Sequence, residues 1–553
     1  MPSHLTTPVD LATSSPFALG GSVVTIDPAG TVLANGVVYC HGGSIVAVQA
    51  RSAAPPGGFE HVPIVASGGT IFPGLIELHN HLPYDVIGLW QVPKTYGNRD
   101  QWSGASTPDY HRLITGPMAV LGSAPDVVAA VVRFVELRCL LGGTTTSQGV
   151  TLSSDAGIIK HFRGLVRNVE KTDDKELPAA ATHIADVEAK DAAKFMARIS
   201  SGKKMILHLS EGTDQAAHDH FAALQVSPNN WAITDNLIGI HCVALKDPDF
   251  AVLAAHGGAM VWSPLSNLLL YGQTANIAAA RSHNVPIALG SDWAPSGSKN
   301  LLGELKVARL SAASVKAGIA DAELVAMATT TPAKLLGWDG HLGSLEAGKR
   351  ADLLVVAGTA GDPYARLIEA TEADISLVVI NGIPRVATPA LMTKIGITTG
   401  PTEAITVGGK QRLLNLVDPN ADPAIEALTA AEAIARLATA LADLPNHKAS
   451  PKLTLNKREA RLAVQGLVNN RQSPRPHLPL HGKPTGPNLP STRTLTAARA
   501  AVAAARPLPA LTLGPLTAVD DPGFYDAIAN EMNLPPAIKA SLATYRRPQN
   551  GHK

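Results

Sequence analysis

The chain is short of cysteine, of charge and of aromatic rings, and the first two shortages each remove a class of protein. Among 553 residues there are three cysteines, Cys40, Cys139 and Cys242. Three thiols with no Cys-x-x-Cys pair build neither a disulfide framework nor a thiolate zinc site. Charged residues make up 16%, the formal net charge is +1, and no lysine- or arginine-rich run occurs. Neither a global field nor a basic tract draws the chain to nucleic acid or to an anionic membrane. No apolar run approaches the ~18 residues that a membrane span needs. The stretch from Met1 to Pro16 has no basic segment followed by an apolar one, so no secretory signal is expected. The expectation is a soluble, cytoplasmic protein with a small-molecule substrate and no nucleic-acid or membrane partner. Assembly into a homo-oligomer is left open.

Hydrophobic residues make up 45%, an ordinary globular share, and the length suggests about two to four domains. Residues 19–65 read as short β-rich runs parted by Gly, Asp and Pro. From Thr70 the pattern changes to short apolar strands alternating with helical stretches. Candidate strands are residues 74–78, 144–148, 163–169, 180–184, 205–209, 237–241, 259–263 and 286–290. A helix is expected over 126–141, with Ser123 as N-cap, Pro125 at its opening and Gly142-Gly143 as its stop. Alternation of this kind predicts a (β/α)8 barrel, whose usual size is ~250 residues. Strand patterns return after Gly343, at 351–356 and 375–380. The expected fold is therefore α/β: a barrel over 71–345 and a small β-sandwich domain built from 1–70 and 346–404. Residues 405–553 are expected to form a helical, Pro-rich C-terminal extension, with helices at 428–444 and 495–505 and a Pro-rich arm at 471–493.

The residues that carry chemistry fall at strand ends. His79-Asn80-His81 follows an apolar strand, and residues two apart in a strand point to the same side. Both imidazoles would then face the mouth of a barrel, where barrel active sites sit. An isolated His-x-His is more often two unrelated loop residues. His208 ends the run 205–209, and Glu211 follows three residues later. A carboxylate there can carry a proton, or simply favour a helix N-terminus. His241 ends the run 237–241, with Cys242 beside it as packing. Asp292 follows Gly290-Ser291 at the last strand, where it reads as a metal ligand or as an ordinary turn residue. Each signal alone is weak. Together they end candidate strands one, five, six and eight, which a barrel brings to one mouth. His79, His81, His208 and Asp292 supply three nitrogens and a carboxylate. That set suits one divalent ion, Zn²⁺ first, with Fe²⁺ or Mn²⁺ as alternatives. His241, Asn267 and Trp293 are the expected substrate contacts, and Tyr84, Trp90 and Trp262 are further candidates for a flat pocket wall.

These residues also carry a resemblance. Residues 72–81 (Phe-Pro-Gly-Leu-Ile-Glu-Leu-His-Asn-His), His208-Leu209-Ser210-Glu211, His241-Cys242, Gly290-Ser291-Asp292 and the run from Gly343 to Leu353 resemble the metal-dependent amidohydrolase superfamily. The similarity is to its cytosine deaminase-like branch, whose members act on purines, pyrimidines, S-adenosylhomocysteine and s-triazines. It spans roughly residues 19–400. It implies hydrolytic deamination of an amino-substituted heterocycle. Asp292 would take the proton of a metal-activated water, Glu211 would protonate the substrate, and His241 would orient the nucleophile. It also implies a single metal, since residues 180–184 offer no lysine to bridge two. Hydrolysis of an amide, lactam or cyclic amidine is the alternative, and a non-catalytic scaffold of the same fold a remote one. Two segments depart from the family pattern. Trp262-Ser263-Pro264 stands where His-x-Pro is common, and the loop 82–110 is long and contains aromatic residues.

Overall fold

The structure is a computed structural model that describes residues 15–103, 107–149, 164–183, 192–426, 428–447 and 507–546. The expected arm at 471–493 and helix at 495–505 lie outside these residues.

The chain opens with β1 (Phe17–Val24), β2 (Val32–His41), β3 (Ser44–Ala50) and β4 (Ile64–Pro73). A series of shorter strands follows: β5 (Leu75–Glu77), β6 (Thr144–Ser147), β7 (Arg167–Asn168), β8 (Ala181–His183) and β9 (Met205–Leu209). A small ribbon of β10 (Gln225–Ser227) and β11 (Asn230–Trp231) precedes β12 (Leu237–His241), β13 (Ala259–Trp262) and β14 (Ile287–Leu289). The last strands are β15 (Leu353–Ala357), β16 (Ile375–Ile380), β17 (Ile383–Ala387), β18 (Glu403–Val407) and β19 (Lys410–Leu414).

Both ends of this series meet in one nine-stranded sheet, ordered β18-β19-β17-β16-β15-β4-β1-β2-β3. Its seam is the antiparallel pair β4–β15, with Phe72 opposite Leu354 and Ile71 opposite Val355. The chain therefore leaves the sheet at Pro73 and returns at Leu353. Its apolar side chains from both ends, among them Leu19, Val38, Ile71, Leu353, Val355 and Leu377, share one buried cluster. The sheet continues past the expected boundary at residue 404, since β18 crosses it and β19 lies beyond. A helix, Pro389–Ile395, intervenes between β17 and β18 and separates the continuation from the strands before it.

Between the two halves of that sheet lie parallel strands in two sets, β5-β6-β7 and β8-β9-β12-β13-β14. Backbone bonds bridge the sets. The Asp292 amide donates to the His79 carbonyl (3.1 Å), and the Ala180 amide donates to the Val169 carbonyl (3.0 Å). Ile76, Leu78, Ile206, Ile238, Ile240, Val261 and Ala288, from five of these strands and their edges, form one buried cluster. Parallel strands covered on both faces read as near-continuous apolar runs, as β9, β12, β13 and β14 do, whereas β6 is Thr-Thr-Thr-Ser.

The helix Pro125–Leu141 begins one residue earlier than expected, and its N-cap is Ala124 rather than Ser123. A residue before proline is pushed into extended backbone, and Ala124 is extended (φ −106°, ψ 112°). It must therefore occupy the cap position, and the Ser123 hydroxyl donates to the Val120 carbonyl instead. This helix is buried along most of its length. Its Arg133, with no exposed surface, donates to the carbonyls of Leu428, Leu416 and Ile425. The helix Ala430–Ala442, capped by Thr429 and Glu432, lays Ala433, Leu437 and Leu441 into the same core. The described residues 405–426 and 428–442 thus pack into the core structure.

A chain cut after residue 404 would leave the Arg133 donors buried without acceptors and would strip an apolar helix face. Unpaired buried donors cost about 1–3 kcal/mol each, and more when charged. The truncated chain is expected to lose its cooperative thermal transition, as read by circular dichroism. A cooperative melt within a few degrees of the full chain would contradict this. No single described helix is long and apolar enough to cross a membrane.

Candidate metal centre

Four parallel-strand ends converge. His79 and His81 follow β5, His208 lies within β9, His241 ends β12, and Asp292 follows β14. The chain turns sharply there: His241 (φ 70°) and Asp292 (φ 66°) both lie in the left-handed region, which is costly for residues with a Cβ. Such turns aim strand-end side chains inward. Gly290 is required for the approach of β14 to His79, because a Cβ at this position would stand 2.5 Å from the His79 Cβ.

One donor atom from each of His79, His208, His241 and Asp292 lies within 4.8 Å of the other three. His81 adjoins them: its Nε2 is 3.5 Å from Asp292 Oδ1, and its ring stacks on His208 at 5.3 Å. His79 Nε2 is 2.9 Å from the same Oδ1, yet makes no directed hydrogen bond. Both ring nitrogens of His79 and the Nε2 of His241 are buried without hydrogen-bond partners. Buried polar atoms are normally paired, so a convergent unpaired set of this kind fits a cation. Burial and the neighbouring His79 push His81 down to about 3. Burial and Arg99 hold His208 well below its ordinary value. Both imidazoles are therefore neutral at pH 7, with lone pairs available to a metal. Burial would raise the Asp292 carboxyl, but the surrounding imidazoles, His79 foremost, hold it well below the carboxylate range.

The donors are held from behind. The Ser266 hydroxyl donates to Asp292 Oδ2 (2.5 Å), leaving Oδ1 to the imidazoles. His241 Nδ1 meets Asn267 Oδ1 at 2.9 Å, and the Asn267 amide donates to Thr274 Oγ1 (3.1 Å). With Nδ1 as donor, Nε2 of His241 keeps a free lone pair facing the centre. Asn267 is wholly buried and commits both ends of its amide, so it positions His241 where a substrate contact had been expected. Glu77 accepts from the Ser291 amide and hydroxyl and from the Ser147 hydroxyl, tying β5 to the turn that carries Asp292. Partners of this kind fix ligand orientation.

Glu211 stands beside the donors. Tyr271 donates to its Oε1 (2.8 Å), Trp102 Nε1 donates to the Tyr271 hydroxyl (2.9 Å), and Arg99 Nε lies 3.6 Å from its Oε2. His241 Nε2 is 3.8 Å from Oε1. Trp293 adjoins His81 (5.8 Å between ring centres) and gathers Tyr84 (5.4 Å) and Trp102 (5.8 Å) around it. Trp262 is wholly buried and donates to Thr274, and Trp90 stacks on Tyr96, so neither joins that group of rings. Tyr271, Trp102, Arg99, Ser266 and Glu77 went unread in the sequence. Two had a signal: Glu77 shares the strand face of His79, and Tyr271 lies one helical turn from Asn267.

Glu304 anchors the helix that carries Ser266, Asn267 and Tyr271, by accepting from the Leu265 amide (3.0 Å) and from Ser298. Burial pushes its carboxyl up to about 8. The folded state then keeps a proton that the unfolded chain releases. The stabilisation is complete below about 4.5 and is lost as pH rises through about 8. The melting temperature is expected to fall across that window, and Glu304→Gln, which carries no charge, to flatten the fall in a pH series of thermal melts. An equally steep fall in the variant would contradict this.

The chain is similar to several known proteins. The profile of the Amidohydrolase family matches residues 70–384. A 5-methylthioadenosine/S-adenosylhomocysteine deaminase of Symbiobacterium thermophilum is 24% identical over 378 residues, 61% of this chain and 84% of that one. An S-triazine hydrolase of Gordonia rubripertincta is 30% identical over 183 residues, 32% of this chain and 38% of that one. In fold, the chain is similar to a zinc-bound adenosine deaminase from Xanthomonas campestris (TM-score 0.51, 21% identity, 67% of this chain and 92% of that one). It is also similar to a variant of the atrazine chlorohydrolase of Arthrobacter aurescens complexed with zinc and atraton (TM-score 0.54, 21% identity, 67% and 95%). Since the family profile covers more than half of its length, this chain belongs to the amidohydrolase family.

Proposed function

We propose that the chain is a hydrolytic deaminase of amino-substituted heterocycles, using one divalent metal, Zn²⁺ first, held by His79, His81, His208 and Asp292. The observation that carries the reading is a buried carboxylate, Glu211, which lies beside this donor cluster and is linked through Tyr271 and Trp102 to the aromatic group around Trp293. Flat rings beside a charged centre suit a flat, polar ring as substrate. The names of the relatives, deaminases and a triazine hydrolase, point the same way. The two parallel strand sets are read as one (β/α)8 barrel, closed by the backbone bonds at His79–Asp292 and Val169–Ala180. The outer sheet is read as its β-sandwich companion.

A bound divalent cation supplies Lewis acidity that activates water at neutral pH. The residues of the chain do the rest. Ionised Asp292 accepts the proton that the attacking water loses. His241, with its free Nε2, orients that water by accepting a hydrogen bond. Glu211 delivers a proton to the ring nitrogen or to the departing amine, a role worth about 10²- to 10⁴-fold. Trp293 and its neighbours exclude bulk water and hold the ring flat. Release of ammonia from amino-substituted heterocycles by the metal-loaded chain tests the reading.

A further inference from the structure

Glu211 has two oxygens, and the structure treats them differently. Oε1 accepts from the Tyr271 hydroxyl at 2.8 Å, while Oε2 makes no hydrogen bond and lies 3.6 Å from Arg99 Nε. The Tyr271 hydroxyl in turn accepts from Trp102 Nε1 at 2.9 Å. The direction of this chain is fixed by chemistry. An indole N–H can only donate and an ionised carboxylate can only accept, so the phenol proton must point at Oε1. Tyr271 and Trp102 are both buried, so water does not compete for either bond. Burial, with Glu211 alongside, also holds the Tyr271 hydroxyl well above its ordinary value, so it stays a donor.

We infer that Tyr271, oriented by Trp102, fixes the orientation in which the Glu211 carboxyl group carries its proton. The inference rests on the proposed role of Glu211. When Glu211 gives its proton to the substrate nitrogen, it leaves a carboxylate whose negative charge Tyr271 stabilises through Oε1. The hydroxyl proton of the attacked carbon then returns to Glu211 as the amine leaves with the proton that Asp292 took from water, so both carboxyl groups end the turnover as they began it. Because Oε1 is held by Tyr271 and Oε2 faces Arg99, the carboxyl group is not free to rotate. Trp102 lies on the loop 82–110, and Tyr271 ends the helix that carries Asn267. A member of the aromatic group around Trp293 therefore also sets the angle of the proton carrier. Tyr271 and Trp102 are positioning residues for Glu211.

Two variants and one structure test this. Tyr271→Phe removes one hydroxyl and keeps the ring. It is expected to lower kcat about 10- to 100-fold, with KM within about threefold and metal content unchanged. Trp102→Phe is expected to lower kcat less, and the double variant to be no slower than Tyr271→Phe alone. Crystals of Tyr271→Phe are expected to show the Glu211 carboxylate rotated or in two orientations. Tyr271→Phe with kcat within twofold of the parent overturns the inference. If that variant does not fold, Trp102→Phe at the parental kcat overturns it. If the parent releases no ammonia, the reading of function fails, and the crystal structure decides the inference alone. An unchanged Glu211 orientation without the hydroxyl then overturns it.

Discussion

Glu211→Gln is expected to lower kcat for ammonia release by about 10²- to 10⁴-fold while the protein keeps its metal. Glutamine preserves the shape and still accepts from Tyr271, but it has no proton to give. Glu211 lies outside the four-residue donor cluster, so its loss leaves the donor set whole. The check is paired: kcat from a coupled ammonia assay, and metal per chain from elemental analysis of the same sample. Retained metal with lost turnover is the expected result. Metal lost along with turnover would make Glu211 a ligand, and unchanged turnover would remove it from the reaction.

The second large effect separates two histidines that both adjoin the centre. His81→Ala is expected to weaken metal binding by about 100-fold or more, since even partners outside the ligand shell are worth about 10- to 100-fold. His241→Ala is expected to keep the metal and lose turnover instead. The geometry makes this a real choice, because the tightest group of four donor atoms includes His241 and leaves out His81. The preference for His81 rests on its 3.5 Å approach to Asp292 Oδ1 and on its ring stacked on His208. His241 Nε2 is shared instead between the centre and Glu211. Competition with a chromogenic chelator measures each affinity. If His241→Ala loses the metal and His81→Ala keeps it, the two roles are exchanged.

The centre was legible because its residues interrupt apolar strands at their ends. β9 and β12 keep the bounds expected for them, 205–209 and 237–241, and each includes a histidine. His79-Asn80-His81 was a weak signal by itself and became readable through its order with His208, His241 and Asp292 along the candidate strands. What supports these residues was not readable, because hydrogen bonds between distant segments leave no local pattern. Tyr271 lies 60 positions from Glu211, and Ser291 lies 214 positions from Glu77. Asn267 was singled out as a substrate contact, but its burial and its bond to His241 needed three dimensions. Trp262 and Trp293 look alike in sequence, and only the fold sends one into the core and the other against His81. The attachment of the described residues 405–442 was not legible because it rests on contacts between distant segments, such as Arg133 in the middle of a helix bonded to the carbonyls of Leu416, Ile425 and Leu428, and the pairing of β19 with β17.

The most direct test of the central claim is ammonia release by the zinc-loaded protein from a panel of aminopurines, aminopyrimidines, amino-triazines and their nucleosides, with Glu211→Gln as the control. Release from at least one ring class, absent in the variant, is the predicted result. A protein that holds its metal yet releases no ammonia from any of these compounds would contradict the deaminase reading and direct the search to amide or ring hydrolysis.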